Sequence, residues 1–136
     1  MQAKLRKAQE TDVSFIFKNW LASHRYSDEC KRMNNEVYYR RFKSILTKIL
    51  TDSDIMICCN PEDENQNYGF ICFKMIDDIP VIHYVYVKYL FRHHGLCKLM
   101  ISYVTDVKKP MMCTFANTFN RYIRGKWFVS YDPYLR

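Results

Sequence analysis

Apolar side chains recur along this chain with helical spacing in some segments and strand spacing in others. Spacings of three and four residues predict helices over residues 13–21, 38–50, 96–109 and 117–124. Thr11 or Asp12 is placed to cap the first helix, and Asn34 or Asn35 the second. Gly125 follows the last helical pattern and is a suitable terminator.

Runs rich in β-branched and aromatic residues predict strands between these helices. The predicted strands are Leu5–Gln9, Asp54–Cys59, Tyr68–Ile76, Val81–Val87, Met111–Phe115 and Trp127–Tyr131. Pro61–Asn67 is predicted to be an acidic turn, and Asp77-Asp78 a second turn. The resulting order, β-α-α-β-β-β-α-β-α-β, predicts an α/β fold with a mixed sheet as a single domain over residues 1–136.

Composition narrows the class of protein. The 136 residues suffice for one domain, and a hydrophobic content of 49% allows a real core. No apolar run approaches the roughly 20 residues of a membrane helix, and the N-terminus lacks a signal-peptide core. We therefore expect a soluble cytoplasmic protein without membrane contact. The six cysteines include no Cys-x-x-Cys pair, so reduced thiols and no metal site are expected.

The formal net charge of +7 indicates attraction to anions. The anionic partner would be a phosphorylated cofactor, an acidic protein or a nucleic acid. The alternative is that the positive charge serves only to keep the protein soluble. Nucleic-acid binding is the less favoured of these, because the chain has no long basic run and no RNA-binding signature.

The segment after the Val81–Val87 strand carries the sharpest chemical signal. Arg92-x-x-Gly95 lies between that strand and the helix that begins at Leu96. Free backbone N–H groups and the positive end of the helix dipole then point to the same place. This arrangement predicts an anion site.

This segment resembles the acetyl-coenzyme A signature of the GNAT superfamily of N-acetyltransferases. That signature is Arg or Gln, two variable residues, Gly, a variable residue, then Gly or Ala, following a strand whose apolar end lies about five positions upstream. Here Val87 is the upstream residue, and Cys97 replaces the final small residue.

The whole chain also resembles small GNAT-like proteins of tailed bacteriophages. The matching pieces are Phe15-Ile16-x-x-x-Trp20-Leu21-x-Ser23-x-Arg25, His83-Tyr84-Val85-Tyr86-Val87-Lys88 and Tyr131-x-Pro133-Tyr134-Leu135. The resemblance implies acetyl-CoA as cofactor and an amine of a protein or small molecule as acceptor. It implies the host cytoplasm as the location if the protein is phage-encoded.

The resemblance also implies roles for residues. Those expected to hold acetyl-CoA are Val85, Tyr86, Val87, Arg92, His93, His94, Gly95, Leu96, Cys97 and Lys98. His83 stands near the position where related enzymes carry a glutamate base, and its alternative role is that of a buried strand histidine hydrogen-bonded in the core. Tyr122 is the nearest match to the usual acid for the leaving thiolate. Tyr131 and Tyr134 are reserves for that acid. Two roles are predicted for Cys97, which lies at a helix N-terminus. Its thiol has a lowered pKa there, or its side chain only packs against its neighbours.

In GNAT domains the segment after the first helix lines the acceptor pocket. The resemblance therefore implies substrate contacts for Arg25, Tyr26, Arg32 and Tyr38, with the two arginines favouring an acidic acceptor. The alternative is a solvated face. Because the chain has no obvious acidic base, a second hypothesis is a catalytically inactive GNAT-like protein that binds and modulates a host protein. A nucleic-acid-binding protein is a third, less favoured one.

Overall fold

A computed structural model describes residues 1–116 and 128–136 of the chain. The strands are β1 (Lys4–Lys7), β2 (Asp54–Asn60), β3 (Asp63–Ile76), β4 (Ile79–Val87), β5 (Met111–Cys113) and β6 (Val129–Tyr131). The helices are α1 (Val13–His24), α2 (Asn35–Thr51) and α3 (Leu96–Val104), with short 3-10 turns at Glu10–Asp12, Tyr89–Phe91 and Pro133–Leu135. In the described residues, no helix has the length and apolar character needed to span a bilayer.

The six strands form one sheet in the order β1-β2-β3-β4-β5-β6. Neighbouring strands are antiparallel from β1 to β4, whereas β5 runs parallel to β4 and β6 parallel to β5. The predicted α/β class with a mixed sheet is therefore confirmed.

Helices cover both faces of the sheet. On one face, α1 and α2 bury Trp20 and Phe42 against Phe70 and Tyr84. On the other face, α3 buries side chains such as Met100 against the opposite side of the central strands. The alternation of side chains along each strand supplies both cores, because successive residues point to opposite faces.

The prediction of an acidic turn at Pro61–Asn67 is wrong. β3 already begins at Asp63, and it pairs with β2 through Asn60↔Asp63 and Cys59↔Asn67. The turn shrinks because the Asn60 side chain accepts a hydrogen bond from the Glu62 N–H at 2.9 Å. The acidic residues lie on an exposed extension of the hairpin, where water solvates them.

The third helix is shorter than predicted. It ends at Val104, and Thr105 is extended. Asp106 builds a turn instead, because its side chain accepts from the Lys108 N–H at 2.9 Å and its carbonyl from the Lys109 N–H at 3.0 Å. The predicted helix at 117–124 lies outside the described residues.

Candidate functional site

The two strands at the centre of the site, β4 and β5, run together for only a short distance. Their pairs are Val81↔Met112 and Ile82↔Cys113, and the Thr114 N–H reaches the Ile82 carbonyl at 3.3 Å. β4 continues to Val87, and beyond Ile82 the strand paired with it among the described residues is β3. We call the segment Tyr84–Val87 the β4 edge, because no described strand pairs with its β5 side. In the described residues, strand β5 therefore ends its pairing with β4 before the β4 edge begins.

His83 lies at the point where these strands part, and a β-bulge sets its direction. Cys72 of β3 pairs with Tyr84 and the next residue, Phe73, with Ile82, so His83 is the extra residue of β4. It lines a cavity on the same side of the sheet as α2. A strict alternation along β4 would have sent its side chain to the opposite face from Tyr84.

The imidazole of His83 is almost fully buried, at 2% exposed. Its Nδ1 lies 2.8 Å from the Thr114 hydroxyl. Burial, together with the positive charges of Lys74 and Arg136, lowers the pKa of His83 to about 4. His83 is therefore neutral near pH 7, and Nε2 is the ring nitrogen that remains for the cavity.

The loop after β4 has the conformation of an anion-binding turn. Arg92 Nε donates to the Val87 carbonyl at 2.9 Å, which ties the loop to the strand end. His93 and Gly95 both adopt left-handed backbone conformations, with φ of 66° and 76°. Gly95 is the N-cap of α3, and a Cβ added there would meet no atom within 4 Å. The space beside Gly95 is thus open, and the first backbone N–H groups of α3 have no acceptor within the helix, which is the general condition for anion binding at a helix N-terminus.

The other loop residues divide by burial. His93, His94 and Lys98 are exposed, whereas Leu96 is buried, so only its backbone is available to a ligand. Cys97 packs against the core beside α3, and burial raises the pKa of its thiol. The possibility of a lowered thiol pKa for Cys97 is therefore wrong, because burial in apolar surroundings outweighs the helix N-terminus.

The residues predicted to contact the acceptor do not form one surface. Arg25 holds the α1–α2 loop, donating to the carbonyls of Cys30 and Met33, each at 2.7 Å, and to the Asn35 side chain at 2.8 Å. Tyr26 and Arg32 are exposed.

Tyr38 is fully buried and donates to the Leu21 carbonyl, so the expectation that it faces a substrate is wrong. Its ring packs in the core because α2 turns that face toward the sheet.

The tyrosines considered as the acid have different environments. Tyr122 lies outside the described residues, so its role stays a prediction. Tyr134 is 94% exposed and belongs to the 3-10 turn that borders the cavity lined by His83. Tyr131 is partly exposed, and burial raises the pKa of its hydroxyl.

Arg136 is a contributor to the site that sequence reasoning missed. It donates to the Thr114 carbonyl at 2.8 Å and to both carboxylate oxygens of Glu29 at 2.6 Å, and its guanidinium carbon lies 4.0 Å from the centre of the Phe115 ring. It thereby connects the α1–α2 loop to the end of β5, next to His83. Neither Arg136 nor Glu29 belongs to a recognisable sequence motif, and the two residues are 107 positions apart in the chain.

One group of described residues has the composition of a metal site. Ligand atoms of His24, Glu29 and Cys30 lie within 4.8 Å of one another. His24 Nε2 is 3.3 Å from Glu29, yet neither ring nitrogen makes a well-aligned hydrogen bond. Since Arg136 already binds both Glu29 oxygens, a metal ion would have to compete with a guanidinium.

No protein-family model matches the chain, and no curated protein does either. Solved structures with this fold are numerous. A possible acetyltransferase from Clostridium difficile 630 has a TM-score of 0.59 and 15% sequence identity to this chain. The alignment covers 93% of this chain and 87% of the Clostridium protein. A GNAT-family acetyltransferase from Staphylococcus aureus Mu50 aligns over 76% of this chain, with a TM-score of 0.53 and 10% identity. This chain covers 63% of that protein's length.

A third structure was solved with a ligand. The PaiA N-acetyltransferase from Thermoplasma acidophilum, in complex with coenzyme A, aligns over 76% of this chain and 69% of its own, with a TM-score of 0.51 and 17% identity. At such identities, these likenesses show that the chain has the fold of GNAT acetyltransferases.

Proposed function

We propose that this protein is an acetyl-CoA-dependent N-acetyltransferase that moves an acetyl group to an amine of a protein or small molecule. One observation carries the proposal: the β4 edge, which no described strand pairs on its β5 side, leads directly into a glycine-bearing turn at the N-terminus of α3. The GNAT fold of the solved neighbours supports it, as does the complex of one of them with coenzyme A.

In this proposal, backbone groups do most of the binding. The β4 edge, with Val85, Tyr86 and Val87, hydrogen-bonds the pantetheine arm as an added strand would. The loop N–H groups around Gly95 hold the pyrophosphate, and His93, His94 and Lys98 contribute positive charge. Arg92 mainly shapes the loop, because its Nε is bonded to Val87.

Acetyl-CoA supplies an acetyl group on an activated thioester. A backbone N–H of the β4 edge polarises the carbonyl, and His83 Nε2 accepts a proton from the amine, directly or through water. A histidine with a pKa near 4 is a weak base. Positioning and the backbone donor therefore carry more of the rate acceleration than His83 does. Tyr122 stays the predicted acid for the departing thiolate.

The cofactor claim is tested with a matched pair of variants at Gly95. A residue with a Cβ is strained at φ of 76°, by roughly 1–2 kcal/mol, and both Gly95→Ala and Gly95→Glu carry that strain. Only glutamate adds a carboxylate where the pyrophosphate would lie. By isothermal titration, acetyl-CoA should bind the wild type and Gly95→Ala and fail to bind Gly95→Glu, whereas Arg92→Ala should weaken binding less.

Equal affinity of acetyl-CoA for Gly95→Ala and Gly95→Glu would show that the loop is not the phosphate site. The wild type should also gain about 2.7 kcal/mol of stability when acetyl-CoA reaches about 100 times its dissociation constant. Absence of any thermal shift at millimolar acetyl-CoA would remove the cofactor from the proposal.

The second candidate function is an inactive GNAT-like protein that binds a host protein. The low basicity of His83 favours it, as does the lack of any carboxylate in β4. Binding of acetyl-CoA without turnover of any amine would support this candidate. For either function we propose the cytoplasm, or the host cytoplasm for a phage-encoded protein, as the location.

A further inference from the structure

A cavity lies beside His83, at the point where the pairing of β4 with β5 ends. This cavity, of about 330 Å³, lies between the end of α2, the strands β3 and β4, and the 3-10 turn Pro133–Leu135. We call it the His83 cavity. Since His83 stands where β4 and β5 part, the cavity and the β4 edge converge on one imidazole.

The wall of the His83 cavity carries more positive than negative charge. Lys48, Lys74 and Arg136 line it, against the single carboxylate of Asp52. Lys74 pairs with Asp52 at 3.1 Å, but the Asp52 side chain is 73% exposed, so water competes for this pair. The charges of Lys74 and Arg136 act on His83 itself.

Lys48 is the cation best placed to receive a ligand. It lies in the last turn of α2 and borders the cavity. Within residues 1–116 and 128–136, its ammonium makes no hydrogen bond or ion pair. Arg136, by contrast, is occupied by Glu29 and by the Thr114 carbonyl. Among the described residues, the cavity thus offers the ammonium of Lys48 without an ionic partner and a second ammonium, that of Lys74, in a weak pair.

We infer that the His83 cavity is the acceptor pocket, and that its acceptor is a small amine carrying carboxylate groups, which Lys48 and Lys74 bind while the amine lies against His83. This inference rests on the proposed acetyl transfer and names its substrate class. The volume supports a small molecule, because about 330 Å³ lies at the lower end of the range for small-molecule pockets.

The same charges help the chemistry. An ammonium cannot attack a carbonyl, and a positive wall favours its neutral form, so the pocket lowers the need for a strong base. The amine nitrogen then forms a bond to the acetyl carbon as the carbon–sulfur bond breaks. The nitrogen loses one proton, toward His83 or water, and the sulfur leaves as a thiolate that takes up one proton. Acetyl-CoA, named in the proposed function, is the only co-reactant.

The test compares three amines with full-length protein and acetyl-CoA: glutamate, its uncharged diamide and the carboxylate-free polyamine spermidine. Glutamate should be acetylated at least tenfold more efficiently, as kcat/KM, than either of the others. Lys48→Gln should raise the KM for glutamate roughly tenfold, the effect of one charge-assisted hydrogen bond, and leave acetyl-CoA affinity unchanged. Lys43→Gln, on an exposed position of the same helix, is the matched control and should change neither value.

Failure of this inference is distinguishable from failure of the proposed function. Loss of acetyl-CoA binding in the wild type would overturn the proposed function and the inference with it. If acetyl-CoA binds but spermidine or the diamide is acetylated as well as glutamate, the acceptor class is wrong. Equal glutamate KM values for Lys48→Gln and Lys43→Gln, or no turnover of glutamate, would likewise overturn the acceptor pocket alone.

Discussion

The contact between Glu29 and Arg136 predicts a specific loss of stability in acid. Burial alone would raise the pKa of Glu29, but the two hydrogen bonds from Arg136 and the nearby His24 outweigh it and lower the pKa from 4.5 to about 2. A carboxylate whose pKa is lower in the folded protein than in the unfolded chain contributes its full stabilisation at a pH above the unfolded pKa. That stabilisation is lost as the pH falls through the folded pKa, because the folded protein then binds the proton as well. The loss should therefore develop between about pH 4.5 and pH 2.

The magnitude follows from the pKa difference and the exposure. At 1.36 kcal/mol per pKa unit, the difference between 4.5 and about 2 corresponds to about 3 kcal/mol. The Glu29 side chain is 30% exposed and the Arg136 side chain 11%, so solvent screens part of this energy. We expect Glu29→Gln to lower the free energy of unfolding by about 1–2 kcal/mol at pH 7.

Urea unfolding across pH 2–7 measures the free energy of unfolding of the wild type and of Glu29→Gln. The difference between the two free energies should be largest at pH 7 and should shrink as the pH falls from 4.5 toward 2. Glu62→Gln, at an exposed carboxylate of the β2–β3 turn, should stay within about 0.5 kcal/mol of the wild type at every pH. A gap for Glu29→Gln that does not change with pH would refute the reasoning.

Two further predictions concern the central strands. Because its pKa is held near 4, folded His83 stays neutral while the unfolded histidine gains a proton below about pH 6.5, so stability should fall between pH 6.5 and 4. In the same unfolding experiment His83→Gln should reduce that fall, by up to about 2–3 kcal/mol at pH 4, and an unchanged pH dependence would contradict the burial of a neutral imidazole. A Cβ at Gly69 would lie 2.0 Å from the Tyr86 carbonyl oxygen, so Gly69→Ala should force β3 and β4 apart and lower the free energy of unfolding by roughly 3 kcal/mol. Gly95→Ala is the comparison variant, because its Cβ meets open space and only the positive φ costs stability, by roughly 1–2 kcal/mol. A loss at Gly69 no larger than that at Gly95 would contradict the predicted clash with the Tyr86 carbonyl.

Local patterns in the sequence determined most of the elements. The apolar stripes of α1 and α2, the cap at Asn34 and the strand content of β2 to β4 are short-range features, and the structure has them close to where the pattern predicts. The turn between β4 and α3 could also be predicted, because Gly95 marks a position where the backbone has positive φ, although His93 of the same turn has positive φ without being glycine. Errors fell at ends, such as α3 and β3, where one side chain, Asp106 or Asn60, redirects the backbone.

Only the tertiary structure decided how the site is assembled. The bulge that aims His83 depends on the register between β3 and β4, and the β4 edge depends on where the pairing of β5 with β4 ends. The contact of Arg136 with Glu29 joins residues far apart in sequence, and the direction of the Cys97 pKa depends on how deeply the thiol is buried. Such properties arise from packing between distant segments, for which the order of residues along the chain carries no local signal.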